Sequence, residues 1–139
     1  MDISQLVHSD EALGVIDNGT WVGEDVHKFP GLRLKVRGLQ SEAVVQCIAK
    51  KQAAARALNK GETLSPEQAK QIHKEALAEE ALLDWDGFTN NGEPVPYSKE
   101  QAINWITKRN GDKLANVVHF CAMKVDEDAE AFVKAAEKN

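Results

Sequence analysis

Val15-Ile16-Asp17-Asn18-Gly19-Thr20-Trp21-Val22 sets Asn-Gly between two runs of β-forming residues, and the fold class turns on how this stretch is read. Asn-Gly adopts the two positive φ angles that a type I′ turn needs, so the stretch predicts a β-hairpin. Beyond a loop, Gly31-Leu32-Arg33-Leu34-Lys35-Val36-Arg37 alternates apolar with basic residues. That period of two predicts a strand with one face inward and Arg33, Lys35 and Arg37 on the other. The basic row reads as a solvated strand face that also deters edge pairing, rather than as a ligand site. Residues 1–38 are therefore expected to form a short β-meander, a hairpin plus one strand. After Gly38 the apolar period becomes helical, and residues 39–139 read as the helical part of a single domain, 1–139.

From Ser41 to Asn59 the chain is rich in Ala, Lys and Gln without Pro or Gly, with Val45, Ile48, Ala55 and Leu58 near one face; Gly61 stops it. Leu64-Ser65-Pro66-Glu67-Gln68-Ala69 carries a helix start in which Ser65 and Gln68 cap reciprocally, predicting a second helix to about Trp85. Tyr97-Ser98-Lys99-Glu100-Gln101-Ala102 repeats that logic, with Tyr97 placed to pack on Ala102, and predicts a third helix ending near Asn110-Gly111. Asp112 is placed to cap a fourth helix carrying Leu114, Val117, Val118, Cys121 and Val125, and Asp126 a fifth carrying Phe132, Val133 and Ala136. Glu127 and Asp128 at its start and Lys134 and Lys138 at its end suit the helix dipole. The expected fold class is α+β, mainly helical: a short N-terminal β-meander followed by about five α-helices.

Composition narrows the function. The chain has 139 residues, 42% apolar and 28% charged, which suits one ordinary domain. Seventeen Lys+Arg against 22 Asp+Glu give a net charge of −5, with no basic block dense enough to track a phosphate backbone, so nucleic acid is not an expected partner. There is no long apolar span and no secretory leader pattern, so no membrane partner is expected. Cys47 and Cys121 lie far apart and outside any CxxC, as in a reduced cytoplasmic protein.

The densest cluster of unusual residues is the loop Asp84-Trp85-Asp86-Gly87-Phe88-Thr89-Asn90-Asn91-Gly92-Glu93-Pro94-Val95-Pro96-Tyr97. As a calcium loop it fails, because Phe88 takes a ligand position, Thr89 the turn glycine's, and Val95 the closing glutamate's. Asp84, Asp86 and Glu93 supply carboxylates for glycoside chemistry but no cleft to hold a sugar. His8, His27, His73 and His119 stand without the spacing of a zinc helix, and no GxSxG, P-loop or GxGxxG occurs. Cys121 with His119 invites a nucleophile, but residues two apart on a helix diverge. The expectation is no catalytic residue, no cofactor and no metal: a binding or assembly protein. The candidate partner-binding residues are Trp85, Asp86, Gly87, Phe88, Tyr97 and Trp105. Core coverage is the stronger reading for Trp85 and Tyr97, whereas Phe88, between Gly87 and Thr89, is the better contact and Trp105 is expected to be partly exposed. The Ser41–Asn59 helix is a second candidate surface.

The order of these pieces resembles the tail assembly chaperones of long-tailed, lambda-like bacteriophages. The resemblance covers most of the chain and is clearest where Leu83-Asp84-Trp85-Asp86-Gly87-Phe88 leads to Gly92-Glu93-Pro94-Val95-Pro96-Tyr97-Ser98 and a helix. It implies a non-virion factor in the host cell cytoplasm that coats the tail tape measure protein until tail tube subunits polymerise around it. It also implies a longer form, made by ribosomal frameshifting, that recruits the tail tube protein. Such a factor needs a soluble acidic body, an apolar contact surface and weak self-association, and so a weak homo-oligomer. Glu137-Lys138-Asn139 can be encoded as GAA AAA AAC, which contains a slippery heptamer. The alternative is a structural virion subunit of the tail or head-to-tail connector; an enzyme built on the Asp84 to Glu93 loop would lose turnover in Asp86→Asn.

Overall fold

The computed structural model describes residues 1–137. Asn18-Gly19 ends a helix in it instead of turning a hairpin. Helix α1 (Asp10–Asn18) starts where Ser9 Oγ accepts the Ala12 N–H at 3.1 Å, and Asp10 and Glu11 occupy its first turn. Ala12 and Ile16, four residues apart, are its buried positions. Gly19, at φ 87°, closes it by donating its N–H to Val15 O at 2.9 Å. The positive φ that suits a hairpin turn also suits a helix terminus, and the Ser-Asp-Glu start upstream settles the choice.

Strand β1 (Thr20–Val22) and the one-turn helix α2 (Glu24–His27) follow, then β2 (Arg33–Val36), α3 (Glu42–Leu58) and α4 (Pro66–Ala76). A wide π-type turn, Leu77–Ala81, delivers the chain into β3 (Leu82–Asp86). Next come β4 (Thr89–Asn90), β5 (Glu93–Pro94) and α5 (Lys99–Ile106). A 3₁₀ turn (Arg109–Gly111), α6 (Asp112–Glu127) and α7 (Ala129–Glu137) complete it. The described residues thus form an α+β fold of seven helices and five strands in two small sheets. The strands are spread through the chain, which overturns the N-terminal meander followed by five helices.

The larger sheet has the order β1-β2-β3, all antiparallel, with Trp21 opposite Lys35 and Leu34 opposite Trp85. A register shift between Lys35 and Val36 passes over Leu83. The second helix was expected to reach Trp85. Its α-helical part stops at Ala76 and the π-type turn carries the winding to Ala81, where the chain leaves it to complete the sheet: β2 would otherwise carry an unpaired edge of backbone groups, and Leu82–Asp86 satisfies it. The basic row is no edge guard, since β2 is central and paired on both sides. Arg33 instead lies over the Trp21 ring at 4.5 Å, and Arg37 is anchored through Nε to Asp17 O at 2.9 Å and Nη1 to Glu80 O at 3.0 Å. The Asn-Gly rule itself holds elsewhere. Asn91 (φ 53°) and Gly92 (φ 82°) turn the β4-β5 hairpin, in which Asn90 faces Glu93.

The core gathers Val22, Leu34, Val36, Leu82 and Trp85 from the sheet with Ile16, Val44, Leu77, Ile106, Val118 and Val125 from the helices. Helix α6 packs across β2, α1 against α7, and α3 against α4 and the π-type turn. The helix starts read from sequence hold at Ser41, Ser65 and Ser98, each accepting the N–H three residues on. Three other details differ. Val44, not Val45, is the buried residue of α3, and Val45 and Leu58 are 52% and 85% exposed. α5 ends at Ile106, and the chain reaches Asn110-Gly111 as a separate 3₁₀ turn. Neither acidic cap acts as one. Asp112 is the first residue of α6 and pairs with lysines of α4, while Asp126 is buried in the last turn of α6. The Asp126 carboxylate accepts the Leu39 N–H at 3.0 Å and the Gln40 N–H at 3.2 Å, clamping the turn from β2 into α3. Lys138, and with it the slippery-codon reading of Glu137-Lys138-Asn139, lies outside the described residues.

Candidate functional site

The fold brings four of the candidate residues into one aromatic cluster. Trp85, on β3, is 4% exposed and stacks on Trp105 of α5, with ring centroids 5.3 Å apart and planes at 13°. Phe88 and Tyr97 meet the Trp85 ring edge-on at 5.3 and 4.9 Å. Trp85 Nε1–H donates to Val95 O at 2.7 Å, which fastens the β4-β5 hairpin over the cluster and satisfies the one polar atom of the indole. Phe88, Tyr97 and Trp105 remain half-buried. Burial and the nearby Asp84 carboxylate push the Tyr97 phenol above its ordinary range, and its hydroxyl donates to Leu82 O at 3.4 Å.

The other two candidates serve different ends. Asp86 is exposed at the end of β3, opposite Arg33. Gly87, at φ 105°, lies against the backbone of Gly31, where a Cβ would meet the Gly31 carbonyl; any other residue there would force the two segments apart.

This close approach opens a groove beside the cluster. Phe29, Leu32, Phe88, Leu114 and Val117 line an apolar hollow of about 320 Å³, with Lys113, Asn110 and Gly111 also in its wall. A second hollow of about 350 Å³ shares Asn110, Gly111 and Leu114 and extends past Trp105 to Asn104 and Lys108. Phe29 is 39% exposed, and its N–H is held at 3.0 Å by Nδ1 of the buried His27. Phe29, Leu32, Leu114 and Val117 were not singled out as contacts from sequence. Leu114 and Val117 follow the apolar spacing of a core-facing helix, and only the side chains opposite them decide whether that face is covered.

Polar side chains gather in a different place, between α4 and α6. Lys74, 5% exposed, donates from Nζ to Asp112 at 2.6 Å and to Lys108 O at 2.9 Å, and Lys70 reaches the same carboxylate at 3.0 Å. These lysines hold the Asp112 carboxyl below its ordinary range. His73 Nε2 and His119 Nδ1 lie 2.8 Å apart, so one ring nitrogen carries the proton and the other accepts it. Burial first, and His119 second, hold His73 below the usual imidazole range. His119 therefore partners His73, not Cys121. Cys121 is fully buried, and burial pushes its thiol up to about 12, the opposite of nucleophile activation. Among the described residues no group of three or more His, Cys, Asp or Glu side chains is placed to hold a metal ion, and no helix is long and apolar enough to cross a membrane.

No curated protein and no solved structure matches the chain. The model of one protein family, the YdaY prophage protein, matches residues 39–139, more than half of the chain, which takes in every element from α3 through α7. The chain belongs to the YdaY prophage protein family and is a phage-related protein.

Proposed function

We propose that this prophage protein is a tail assembly chaperone, binding the tail tape measure protein in the host cytoplasm by contact rather than by catalysis. The observation that carries this reading is the open apolar groove between Phe88, Leu114 and Val117, continuous with the hollow beside Trp105. An amphipathic helix presents apolar anchors at i, i+3 or i+4, and i+7, the pattern that such a trough accepts. Lys113 and Lys108 in its walls favour acidic residues flanking those anchors. A tape measure protein is long and helical and exposes such stripes before the tube forms. Recruitment of tail tube protein belongs to a frameshifted longer form in this proposal.

The test is co-expression with the tape measure protein of the same prophage, followed by affinity purification and light scattering. A soluble complex with several copies per tape measure chain, where tape measure alone precipitates, supports the chaperone. In that assay Phe88→Ala and Trp105→Ala reduce capture while the fold persists; wild-type capture by both would discard the groove. No complex, together with this chain in purified particles, replaces the proposal with a structural virion subunit.

A further inference from the structure

The most exposed apolar side chains apart from the end of α3 precede α1. Ile3, Leu6 and Val7 are 68%, 72% and 58% exposed. Val7 N–H donates to Ile3 O at 2.9 Å, so the segment is already wound into a turn, with Ile3 on the same side as Leu6 and Val7. Acids flank it: Asp10 and Glu11 are exposed and have no ion-pair partner among the described residues. The segment is moored to α7 through Ser9 N–H and Glu130 Oε1 at 3.0 Å and points its apolar turn at solvent.

The same molecule carries the complementary surface. The groove of Phe29, Phe88, Leu114 and Val117 is apolar, has room for a few aliphatic side chains, and has the basic Lys113 in its wall, with Lys108 in the hollow that adjoins it. We infer that the turn Ile3–Val7 of one copy docks in the groove of a second copy, with Asp10 and Glu11 meeting Lys113 and Lys108. Donor and acceptor are different patches, so the contact is heterologous and repeats head to tail. One short turn in one groove falls well below the ~800 Å² per partner of a stable complex, so association is weak and reversible. The contact rests on the groove that the chaperone reading also uses, and it gives that groove an occupant of its own kind, which a bound partner helix displaces.

The experiment uses this chain alone, so its failure leaves tape measure binding untouched. Two variants change exposed side chains: Leu6→Asp with Val7→Asp in the segment, and Phe29→Asp with Lys113→Glu at the groove. Circular dichroism confirms that each retains its helical signal. Sedimentation equilibrium at low salt, up to about 1 mM protein, reads the mass. The wild type gains mass with concentration, and each variant alone stays at the monomer mass. An equimolar mixture of the two variants retains one intact segment and one intact groove, and it reaches twice the monomer mass and no more. A monomeric wild type, a mixture that stays monomeric, or a variant that associates alone as the wild type does each overturns the inference.

Discussion

Replacing Trp85 by Phe separates what the aromatic cluster does for stability from its proposed part in binding. Trp85 is 4% exposed, donates Nε1–H to Val95 O at 2.7 Å, and stacks on Trp105. Phe keeps an aromatic ring against Phe88 and Tyr97 but removes the donor and part of the stack. The lost hydrogen bond costs about 1 kcal/mol, because the half-buried Val95 carbonyl recovers part of it from water. The smaller ring costs about 1–2 kcal/mol more, below the 3–5 of a truncation to Ala. With an unfolding entropy of about 2.1 cal/mol/K per residue, a chain of 139 residues loses about 3.4 °C per kcal/mol, so the melting temperature falls by roughly 7–10 °C. Thermal and urea unfolding followed by circular dichroism read this directly. Tape measure capture by Trp85→Phe at 25 °C stays at the wild-type level, since the ring faces the core, while Phe88→Ala loses it. A drop below about 2 °C in Trp85→Phe, or a capture defect matching that of Phe88→Ala, would refute this division between the two rings.

The histidine pair gives a pH signature. Because His73 titrates below its unfolded value of about 6.5, the unfolded chain binds more protons just under that pH; stability is full above it and declines as pH falls through it. The urea midpoint should therefore fall between pH 7.5 and 5.5 in wild type and fall less in His73→Gln; equal slopes would remove His73 as the source. Asp126→Ala strands the N–H groups of Leu39 and Gln40, at a cost of about 2–4 kcal/mol, and Asp126→Asn, which keeps one acceptor oxygen, loses about half as much. Amide exchange at those two residues checks the mechanism, and protection unchanged in Asp126→Ala would contradict it. Cys121, with its thiol pushed up to about 12, resists a thiol reagent at pH 8 until the chain unfolds, whereas the half-buried Cys47 labels slowly in the folded state. Mass spectrometry of the labelled peptides distinguishes them, and rapid labelling of Cys121 would contradict its burial.

What was legible in the sequence is what bonds within a few residues. Ser41, Ser65 and Ser98 each bond an amide three residues ahead, and all three helix starts were readable. Asp112 and Asp126 look locally like the same signal but spend their carboxylates on distant partners, Lys74 in one case and Leu39 and Gln40 in the other. Asn18-Gly19 and Asn91-Gly92 show the same limit. Both dipeptides take positive φ at glycine, but what precedes each decides between helix end and hairpin. The aromatic content of the Asp84–Tyr97 loop was visible, and so was Trp105, but their meeting was not, because Trp105 comes from another element. His73 and His119, 46 positions apart, give no local sign of their contact.

The strand hidden in the expected second helix is also the one that makes the groove. Pairing Arg33 with Asp86 fixes the chain segments on either side of that pair, so Leu32 and Phe88 line one wall and Gly31 and Gly87 touch backbone to backbone. Had residues 82–86 stayed helical, Phe88 would have followed the end of α4, Phe29 would have belonged to a loop beside an unpaired strand, and no side chains would have stood across from Leu114 and Val117. The proposed contact surface is thus a product of long-range strand pairing rather than of the loop residues themselves. A substitution that weakens that pairing, such as Gly87→Val with its Cβ directed at the Gly31 carbonyl, is expected to abolish groove binding by spreading the walls, although it replaces no groove side chain. Retained tape measure capture in that variant would show that binding does not depend on the groove.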